Sequence, residues 1–216
     1  MPSSRYERAA RTAGFRTIAG VDEAGRGALF GPVFAAAVVL DPARQIRGLD
    51  DSKQLAADRR EVLAERIRER AVAWAVAGSD AFEIDRVNIL QASRLAMKRA
   101  VERLQTVCDY LLIDAITVDL PVSQRALIHG DALSFSIAAA SILAKTARDA
   151  ALGQWDGVFP EYGFARNKGY GTPDHLGALD KFGPTTLHRF SFEPVRAACR
   201  SRDYVWSGYP EQGELF

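Results

Sequence analysis

The stretch Ile18–Gly27, IAGVDEAGRG, joins a run of small apolar residues to two adjacent acids and then to two glycines. A short apolar run bounded by turn-forming residues is typical of a buried β-strand. Neighbouring residues of a regular strand point to opposite faces, so Asp22 and Glu23 reach one site only if the strand bends or ends at Asp22. Gly25 and Gly27 allow such a bend. The stretch therefore predicts a strand that ends in a polar site.

Four further apolar runs predict the other strands of a sheet. VFAAAVVL follows the glycine-rich link and predicts a neighbouring strand, whereas YLLI is a continuous apolar run between two acids, as expected of a fully buried strand. The runs AVAWAVA and ALI complete the set, the last being short. These strands are predicted over Val33–Leu40, Ala71–Ala77, Tyr110–Ile113 and Ala126–Ile128.

Amphipathic segments between these runs indicate helices. Asp51 or Ser52 is a suitable N-cap for a helix that places Leu55, Leu63 and Ile67 among charged residues. The alanine- and serine-rich stretch that follows the fifth strand predicts a helix packed closely against the sheet. Helices are expected over residues 88–104, 134–152 and 173–181. Together, the pattern predicts an α/β fold with a mixed five-stranded sheet flanked by helices.

The composition changes after Trp155, where glycine, proline and aromatic residues become frequent. We therefore expect a core over residues 1–155, a C-terminal helix and loop extension over 156–205 that packs on the core, and a flexible tail over 206–216. Residues 163–202 hold seven Lys and Arg against three Asp and Glu, an excess of four. Such an excess can contact phosphates, although it is also common on inert surfaces.

The overall composition excludes several classes of protein. The chain has 216 residues, of which 48% are hydrophobic and 25% charged, with a net charge of +1, as is ordinary for a globular protein. Cys108 and Cys199 are too few for a disulfide framework and lack the spacing of metal ligands. The charged N-terminus has no signal-peptide core, and no apolar run reaches the roughly 18 residues that span a bilayer. A cytoplasmic location is expected.

Acidic side chains follow three of the predicted strands. Asp22 and Glu23 end the first strand, Asp114 ends the fourth, and Asp131 follows the fifth. Strand ends meet at one edge of an open α/β sheet, where four carboxylates would repel one another unless cations neutralised them. Oxygen-only ligands suit Mg²⁺ or Mn²⁺, and two such ions roughly 3.5–4 Å apart form a clamp for in-line phosphoryl displacement. The pattern predicts phosphodiester hydrolysis.

Each of these residue types also has a simpler explanation. An acid at a strand end is most often a turn former or helix cap, which would explain Asp114 or Asp131 taken alone. The glycines around Arg26 let a backbone approach a ligand such as a sugar hydroxyl, and Arg26 can hold phosphate. A tight turn between two strands is the alternative for the same glycines.

Six ordered blocks carry a resemblance to a known family. They read GVDEAGRGALFGPV, DDSK, NILQAS, LLID, GDALSFSIAAASILAKTARD and YGFARNKGYGTPDHLGALDKFGPTTLHRFSF. Together they resemble bacterial ribonuclease HII, the type 2 ribonuclease H, from about Arg16 to Phe192. The resemblance implies a ribonuclease H-like sheet and divalent-metal-dependent hydrolysis of nucleic acid.

The resemblance also implies roles for individual residues. The family's catalytic, metal-binding acids correspond to the same four acids that the strand ends select. Its glycine-rich loop senses the 2′-hydroxyl of a ribonucleotide, and its tyrosine packs on the deoxyribose that follows; by itself this tyrosine would be a filler of the core or an interface. The implied residues are Asp22, Glu23, Asp114 and Asp131 for metal, and Gly25, Arg26, Gly27 and Tyr170 for substrate.

Other positions match less closely. Ser52 and Lys53 fall on a block that is placed to meet phosphate in the family, but a helix cap followed by a solvated lysine explains them equally well. His129 and Leu133 stand where lysines are usual, so the strength of binding to the nucleic-acid backbone is open. His175 and His188, 13 residues apart without a third partner, are expected to be structural or to face phosphate.

The implied activity is that of an endoribonuclease. It would hydrolyse the RNA strand of RNA:DNA hybrids and cut 5′ to ribonucleotides embedded in duplex DNA by two-metal-ion catalysis, leaving 3′-hydroxyl and 5′-phosphate ends, with a role in ribonucleotide removal and DNA repair. The preferred ion and substrate remain open. A junction resolvase of the same fold is one rival hypothesis, and a hybrid-binding module without catalysis is another. The clustered acids argue against the second, because clustered negative charge does not help a surface to bind a polyanion.

The last residues, EQGELF, suggest a protein partner. They resemble the short peptide by which bacterial replication proteins dock on the sliding clamp, with Leu215 and Phe216 in an apolar pocket and Gln212 at its rim. A frayed terminus is the alternative. The chain is expected to be a monomer.

Overall fold

The structure, a computed structural model, describes residues 2–201. It contains a five-stranded sheet in the order β3-β2-β1-β4-β5. Strand β1 pairs antiparallel with β2 and parallel with β4, and β4 pairs parallel with β5. The predicted mixed five-stranded sheet is therefore confirmed. The strands are β1 Ile18–Ala24, β2 Val33–Val39, β3 Ala73–Ser79, β4 Tyr110–Asp114 and β5 Ser123–Leu127.

Helices precede, separate and follow these strands. The long helix predicted from the alanine-rich stretch is present as α6, and the helix predicted over 173–181 is present as α8. A 3₁₀ turn covers Pro160–Tyr162. The helices are α1 Arg5–Thr12, α2 Ala57–Arg70, α3 Ala81–Val87, α4 Ile89–Glu102, α5 Gly130–Leu133, α6 Phe135–Val158, α7 Phe164–Asn167, α8 Pro173–Phe182 and α9 Glu193–Arg200. None of the helices within residues 2–201 is both long and apolar enough to cross a membrane.

The predicted start of α2 is wrong. The helix begins at Ala57, its N-cap is Ala56, and no side chain caps it. Asp51 instead closes a local turn, because its carboxylate accepts a hydrogen bond from the Lys53 backbone N–H at 2.9 Å. Ser52 is buried with its hydroxyl 2.8 Å from that of Ser141. Neither candidate cap is therefore available to the helix.

The sequence did not predict helices α1, α3, α5, α7 and α9, and two of these, α3 and α1, have identifiable anchors. Helix α3 begins with a capping box, in which the Asp80 carboxylate accepts from the Glu83 N–H at 2.8 Å. Helix α1 is held by its buried Glu7, which accepts hydrogen bonds from the Ser134 hydroxyl at 2.6 Å and the Ser136 N–H at 2.9 Å. The D-x-x-E pattern was readable in the sequence, whereas the long-range anchor of α1 was not.

The chain divides into two compact units. Among the described residues, the first comprises 2–24, 34–78 and 93–148 and contains most of the sheet, and the second comprises 25–33, 79–92 and 149–201. Aliphatic side chains of β2, α2 and α6 form a core in the first unit, and the core of the second unit combines aromatic and aliphatic side chains. The domain boundaries expected after residues 155 and 205 stay a prediction.

Gly20 explains how α6 approaches the sheet. A Cβ atom at this position would lie 2.0 Å from the carbonyl carbon of Ser136 and 2.5 Å from the backbone nitrogen of Ile137. Real atoms cannot approach so closely, so the backbones of β1 and α6 touch only because residue 20 is glycine. This close packing, expected from the small residues of α6, brings that helix alongside the strand that carries Asp22.

Candidate active site

Asp22 and Asp114 lie at the ends of neighbouring parallel strands. Val21 of β1 pairs with Ile113 of β4, and each acid is the next residue of its strand. Adjacent strands are about 4.8 Å apart, so the two carboxylates start from closely spaced backbone positions. The structure therefore places these two acids together, as the strand-end argument predicts.

Burial and neighbouring negative charges disfavour the ionised form of Asp22. Its side chain is buried, and burial raises its pKa well above the ordinary value, with the charges of Glu23 and Asp114 raising it further. Two hydrogen bonds act in the opposite direction, one from the Ser141 side chain and one from the Glu23 N–H at 2.7 Å. The raised pKa means that the ionised form of Asp22 is disfavoured in this environment, and a nearby positive charge would stabilise it.

A chain of hydroxyl groups orients Asp22. The Ser141 side chain hydrogen-bonds to the acid, and the Ser52 hydroxyl lies 2.8 Å from that of Ser141. Ser52 and Ser141 are both buried. Ser141 was not among the residues selected from the sequence, because a serine within an alanine-rich helix carries no signal of its own.

Backbone geometry at the start of α5 ties Asp114 to Asp131. The Gly130 N–H donates to the Asp114 carboxylate at 2.6 Å, and Asp131 is the next residue. His129, which precedes them, has left-handed backbone dihedrals. Asp131 is buried, which raises its pKa, and the charges of Asp51 and Asp114 add to that rise.

Lys53 supplies positive charge beside these acids. Its ammonium lies 3.8 Å from the Asp131 carboxylate, while its side chain stays largely exposed. Burial lowers its pKa, but the charges of Asp131, Asp51, Asp22 and Asp114 outweigh that effect, so the pKa is raised overall. Asp51 thus joins the acidic group, although it was considered from the sequence only as a helix cap.

These acids suit a hard divalent cation by their chemistry, since every donor is a carboxylate oxygen. Burial first, and neighbouring carboxylates second, raise the pKa values of Asp22 and Asp131, so a cation would stabilise their ionised forms. Their side chains do not form a ready-made coordination shell. Within residues 2–201, no three His, Cys, Asp or Glu side chains converge closely enough to hold one ion.

The glycine-rich loop and Tyr170 lie together in the second unit. Gly25 has a positive φ of 97°, and its carbonyl accepts from the Ala28 N–H at 3.3 Å, which forms a turn. The exposed Gly27 faces the ring of Tyr170, whose Cε1 would lie 3.9 Å from a Cβ atom at Gly27. Tyr170 is itself 38% exposed. The two elements implied in ribose recognition are therefore neighbours, with an open surface.

His175 and His188 form a buried pair. Both are fully buried, and their Nε2 atoms lie 3.0 Å apart. Burial lowers the pKa of His175, and burial together with His175 lowers the pKa of His188 to about 3. The alternative that they face phosphate is wrong, because neither reaches solvent. Of the other positions considered, His129 and Leu133 are exposed, and Gln212, Leu215 and Phe216 lie outside the described residues.

The sequence of this chain matches a known family. The family model described as Ribonuclease HII matches residues 19–195. A ribonuclease HII of Solibacter usitatus is 62% identical over 90% of this chain and 85% of its own length. Another, from Koribacter versatilis, is 56% identical over 94% of this chain and 80% of its own length.

Solved structures share the fold at low identity. The ribonuclease H2 of Pyrococcus horikoshii matches with a TM-score of 0.74 at 24% identity, over 88% of this chain and 100% of its own. The ribonuclease HII of Archaeoglobus fulgidus, solved in a complex with PCNA, gives 0.69 at 24% identity, over 84% and 96%. Bst-RNase HIII in complex with Mn²⁺ gives 0.64 at 19% identity, over 89% and 72%.

The family model matches most of the chain, and both of these bacterial relatives are more than half identical to it. The chain belongs to the ribonuclease HII family and is a ribonuclease H, a hydrolase that acts on RNA paired with DNA.

Proposed function

We propose that this enzyme cuts the RNA strand of RNA:DNA hybrids and also cuts 5′ to single ribonucleotides embedded in duplex DNA, leaving 3′-hydroxyl and 5′-phosphate ends. Its role would then be the removal of ribonucleotides from DNA. The observation that carries the proposal is the pairing of Asp22 and Asp114 at the ends of β1 and β4, where burial and mutual charge raise the pKa of Asp22. Such a site favours cations and in-line phosphoryl chemistry.

We assign the catalytic roles to the four acids. Asp22, Glu23 and Asp114 would hold one divalent ion, and Asp131 would hold a second. When bound, Mg²⁺ or Mn²⁺ supplies Lewis acidity that lowers the pKa of water and balances charge on the leaving oxygen. The Mn²⁺ complex of the related Bst-RNase HIII supports a divalent cofactor.

Neighbouring groups of the chain itself hold these acids ready. Ser141 and the Glu23 N–H orient the carboxylate of Asp22, while the Gly130 N–H orients that of Asp114. Each donor orients its carboxylate and stabilises the ionised form, which is the form that ligates a metal. The acids can therefore be preorganised before substrate arrives.

Substrate recognition is assigned to three further elements. Gly25, Arg26 and Gly27 would sense the 2′-hydroxyl, and Tyr170 would pack on the sugar that follows, since its ring lies beside Gly27 and part of it is exposed. Lys53 would contact a phosphate near Asp131. Ser52, whose hydroxyl meets that of Ser141, would act from behind the acids by supporting Asp22.

We also propose that the C-terminal segment docks on the sliding clamp, through Gln212, Leu215 and Phe216. The archaeal ribonuclease HII solved with PCNA supports the idea that members of this family bind clamps. Removing residues 212–216 would abolish clamp binding, measured by surface plasmon resonance, and leave cleavage of a short duplex unchanged. Equal clamp binding by both chains would contradict this assignment.

One assay tests the proposed activity. Three labelled substrates are compared in Mg²⁺ and in Mn²⁺: duplex DNA, the same duplex with one ribonucleotide, and an RNA:DNA hybrid. We expect cleavage of the last two only, and none by Asp22→Asn or Asp114→Asn. Asp58→Asn, an exposed carboxylate of α2, serves as the matched control and retains activity.

The rival hypotheses predict other outcomes. Equal cutting of duplex DNA with and without the ribonucleotide would indicate a resolvase-like nuclease. Binding of the hybrid without any cutting by the wild-type chain would indicate a recognition module. Either result would overturn the proposed activity.

A further inference from the structure

The two buried residues His188 and Arg189 lie in a segment that runs beside the glycine-rich loop. Phe30 and His188 form an antiparallel bridge, and the Arg189 N–H donates to the Leu29 carbonyl at 2.8 Å. Leu29 in turn donates to the Gly169 carbonyl at 2.7 Å. Three pieces of backbone are thus tied side by side, and two of them carry residues assigned to ribose recognition.

The Arg189 side chain holds the glycine-rich loop. It is fully buried, its Nη1 donates to the Arg26 carbonyl at 2.8 Å, and its Nε donates to the Gly31 carbonyl at 2.9 Å. One rigid guanidinium therefore fixes carbonyls on both sides of Gly27. Lysine has no such fork of donors, so it cannot reproduce both bonds in this geometry.

The His188 side chain reaches the backbone of Tyr170 through a second histidine. Its Nδ1 accepts from the Thr185 N–H at 2.9 Å, so its Nε2 carries the proton of the neutral ring. That N–H donates to Nε2 of His175 at 3.0 Å. Nδ1 of His175 then donates to the Tyr170 carbonyl at 2.9 Å. Each partner fixes the next tautomer, so the direction of the whole relay is determined.

We propose that His188, His175 and Arg189 are positioning residues for ribonucleotide recognition, with the histidine relay fixing the backbone of Tyr170 and the arginine fixing the Gly25–Gly27 loop. This inference rests on the proposed function of Tyr170 and that loop. Because His188 and Arg189 are adjacent, one segment sets both recognition elements relative to each other. The three residues need not touch the substrate.

Matched variants of His175 separate the links of the relay. Asparagine places an amide near the Nδ1 position and keeps a donor for Tyr170, whereas glutamine places it near the Nε2 position and keeps only the bond to His188. The readout is the ratio of kcat/KM for a duplex with one ribonucleotide to kcat/KM for a continuous hybrid. We expect His175→Gln to lower this ratio by about 2- to 12-fold, the effect of losing one hydrogen bond. His175→Asn, which keeps the bond to Tyr170 but loses the one to His188, should lower it less.

A double-mutant cycle asks whether the relay acts through Tyr170. Tyr170→Ala should lower the same ratio, because the proposed contact is with the deoxyribose after the ribonucleotide. Adding His175→Gln to Tyr170→Ala should then change the ratio no further. A loss that is equal on both substrates, or equal with and without Tyr170, would show a merely structural role and overturn the inference.

Arg189→Lys provides an independent test if His175→Gln does not fold, as judged by thermal unfolding. This variant should reduce the preference for a ribonucleotide over a 2′-fluoro nucleotide at the same position by a similar factor, whereas unchanged preference would overturn the arginine's role. A wild-type chain that cuts neither substrate would refute the proposed function and this inference with it. If the wild-type chain cuts its substrates and every variant keeps the wild-type ratios of kcat/KM and of preference, only this inference is refuted.

Discussion

Acidification should weaken the fold through His188, and the size of the effect follows from its surroundings. Burial, reinforced by His175, lowers the pKa of His188 from 6.5 to about 3. The rings of Phe30, Tyr162 and Phe164 face it, and the Tyr162 hydroxyl is engaged with the Gly183 carbonyl. The folded state therefore keeps His188 neutral while the unfolded state takes up a proton.

The lowered pKa of His188 determines how the free energy of unfolding changes with pH. Between pH 6.5 and about 3, the unfolded chain binds more protons than the folded one, so the free energy of unfolding falls as pH falls. Each unit of pH in this window costs about 1.4 kcal/mol. Going from pH 7 to pH 5 crosses about 1.5 units of the window, so His188 alone should account for a loss of about 2 kcal/mol.

Urea unfolding followed by circular dichroism at pH 7, 6 and 5 measures this loss. His188→Gln is the reference, because glutamine cannot titrate and can still donate to His175. Groups elsewhere, including Asp22 and Asp131, titrate in both proteins and cancel in the comparison. The stability difference between wild type and variant should shrink by about 2 kcal/mol from pH 7 to pH 5. A difference that stays constant over this range would refute the neutral, buried relay.

Three further predictions concern the acid-bearing edge of the sheet. Asp22→Asn should lower cleavage of a ribonucleotide-containing duplex by more than about 100-fold, which exceeds the loss expected for a residue that only supports a metal ligand. The same variant should raise the melting temperature because it removes a buried carboxylate that its neighbours repel, and a lower melting temperature would contradict that repulsion. Ser141→Ala should lower kcat about 10- to 100-fold while the fold is retained, and unchanged kcat would show that the hydroxyl does not orient Asp22. Gly20→Ala should destabilise the protein by about 3 kcal/mol in urea unfolding, since its Cβ meets the Ser136 backbone, and a neutral effect would mean that α6 can shift.

Much of this site was accessible from the sequence because strand ends are local signals. The runs IAGV and YLLI are apolar, lie next to acids and are long enough to be strands, which is why Asp22 and Asp114 could be assigned to one edge. The resemblance to ribonuclease HII added the loop and the tyrosine. The family was confirmed, whereas the individual roles of these residues remain predictions.

The parts that the sequence did not reveal depend on contacts between distant residues. His175 and His188 are 13 positions apart, and only the chain reversal after α8 brings their rings together. Arg189 looked like one more basic residue of a mildly positive segment, but it is buried and bonded to backbone. Asp51 resembled a helix cap because side-chain chemistry alone does not distinguish a cap from a turn.

The bridge that His188 makes with Phe30 implies a particular sensitivity to insertions and deletions. The two adjacent side chains bond to different partners, His188 to His175 and Arg189 to the carbonyls of Arg26 and Gly31. Adding or deleting a single residue between Leu187 and Phe190 would move at least one of these side chains away from its partners, because the bridge fixes the backbone at His188. A change of length in this stretch should therefore be at least as damaging as the loss of either side chain.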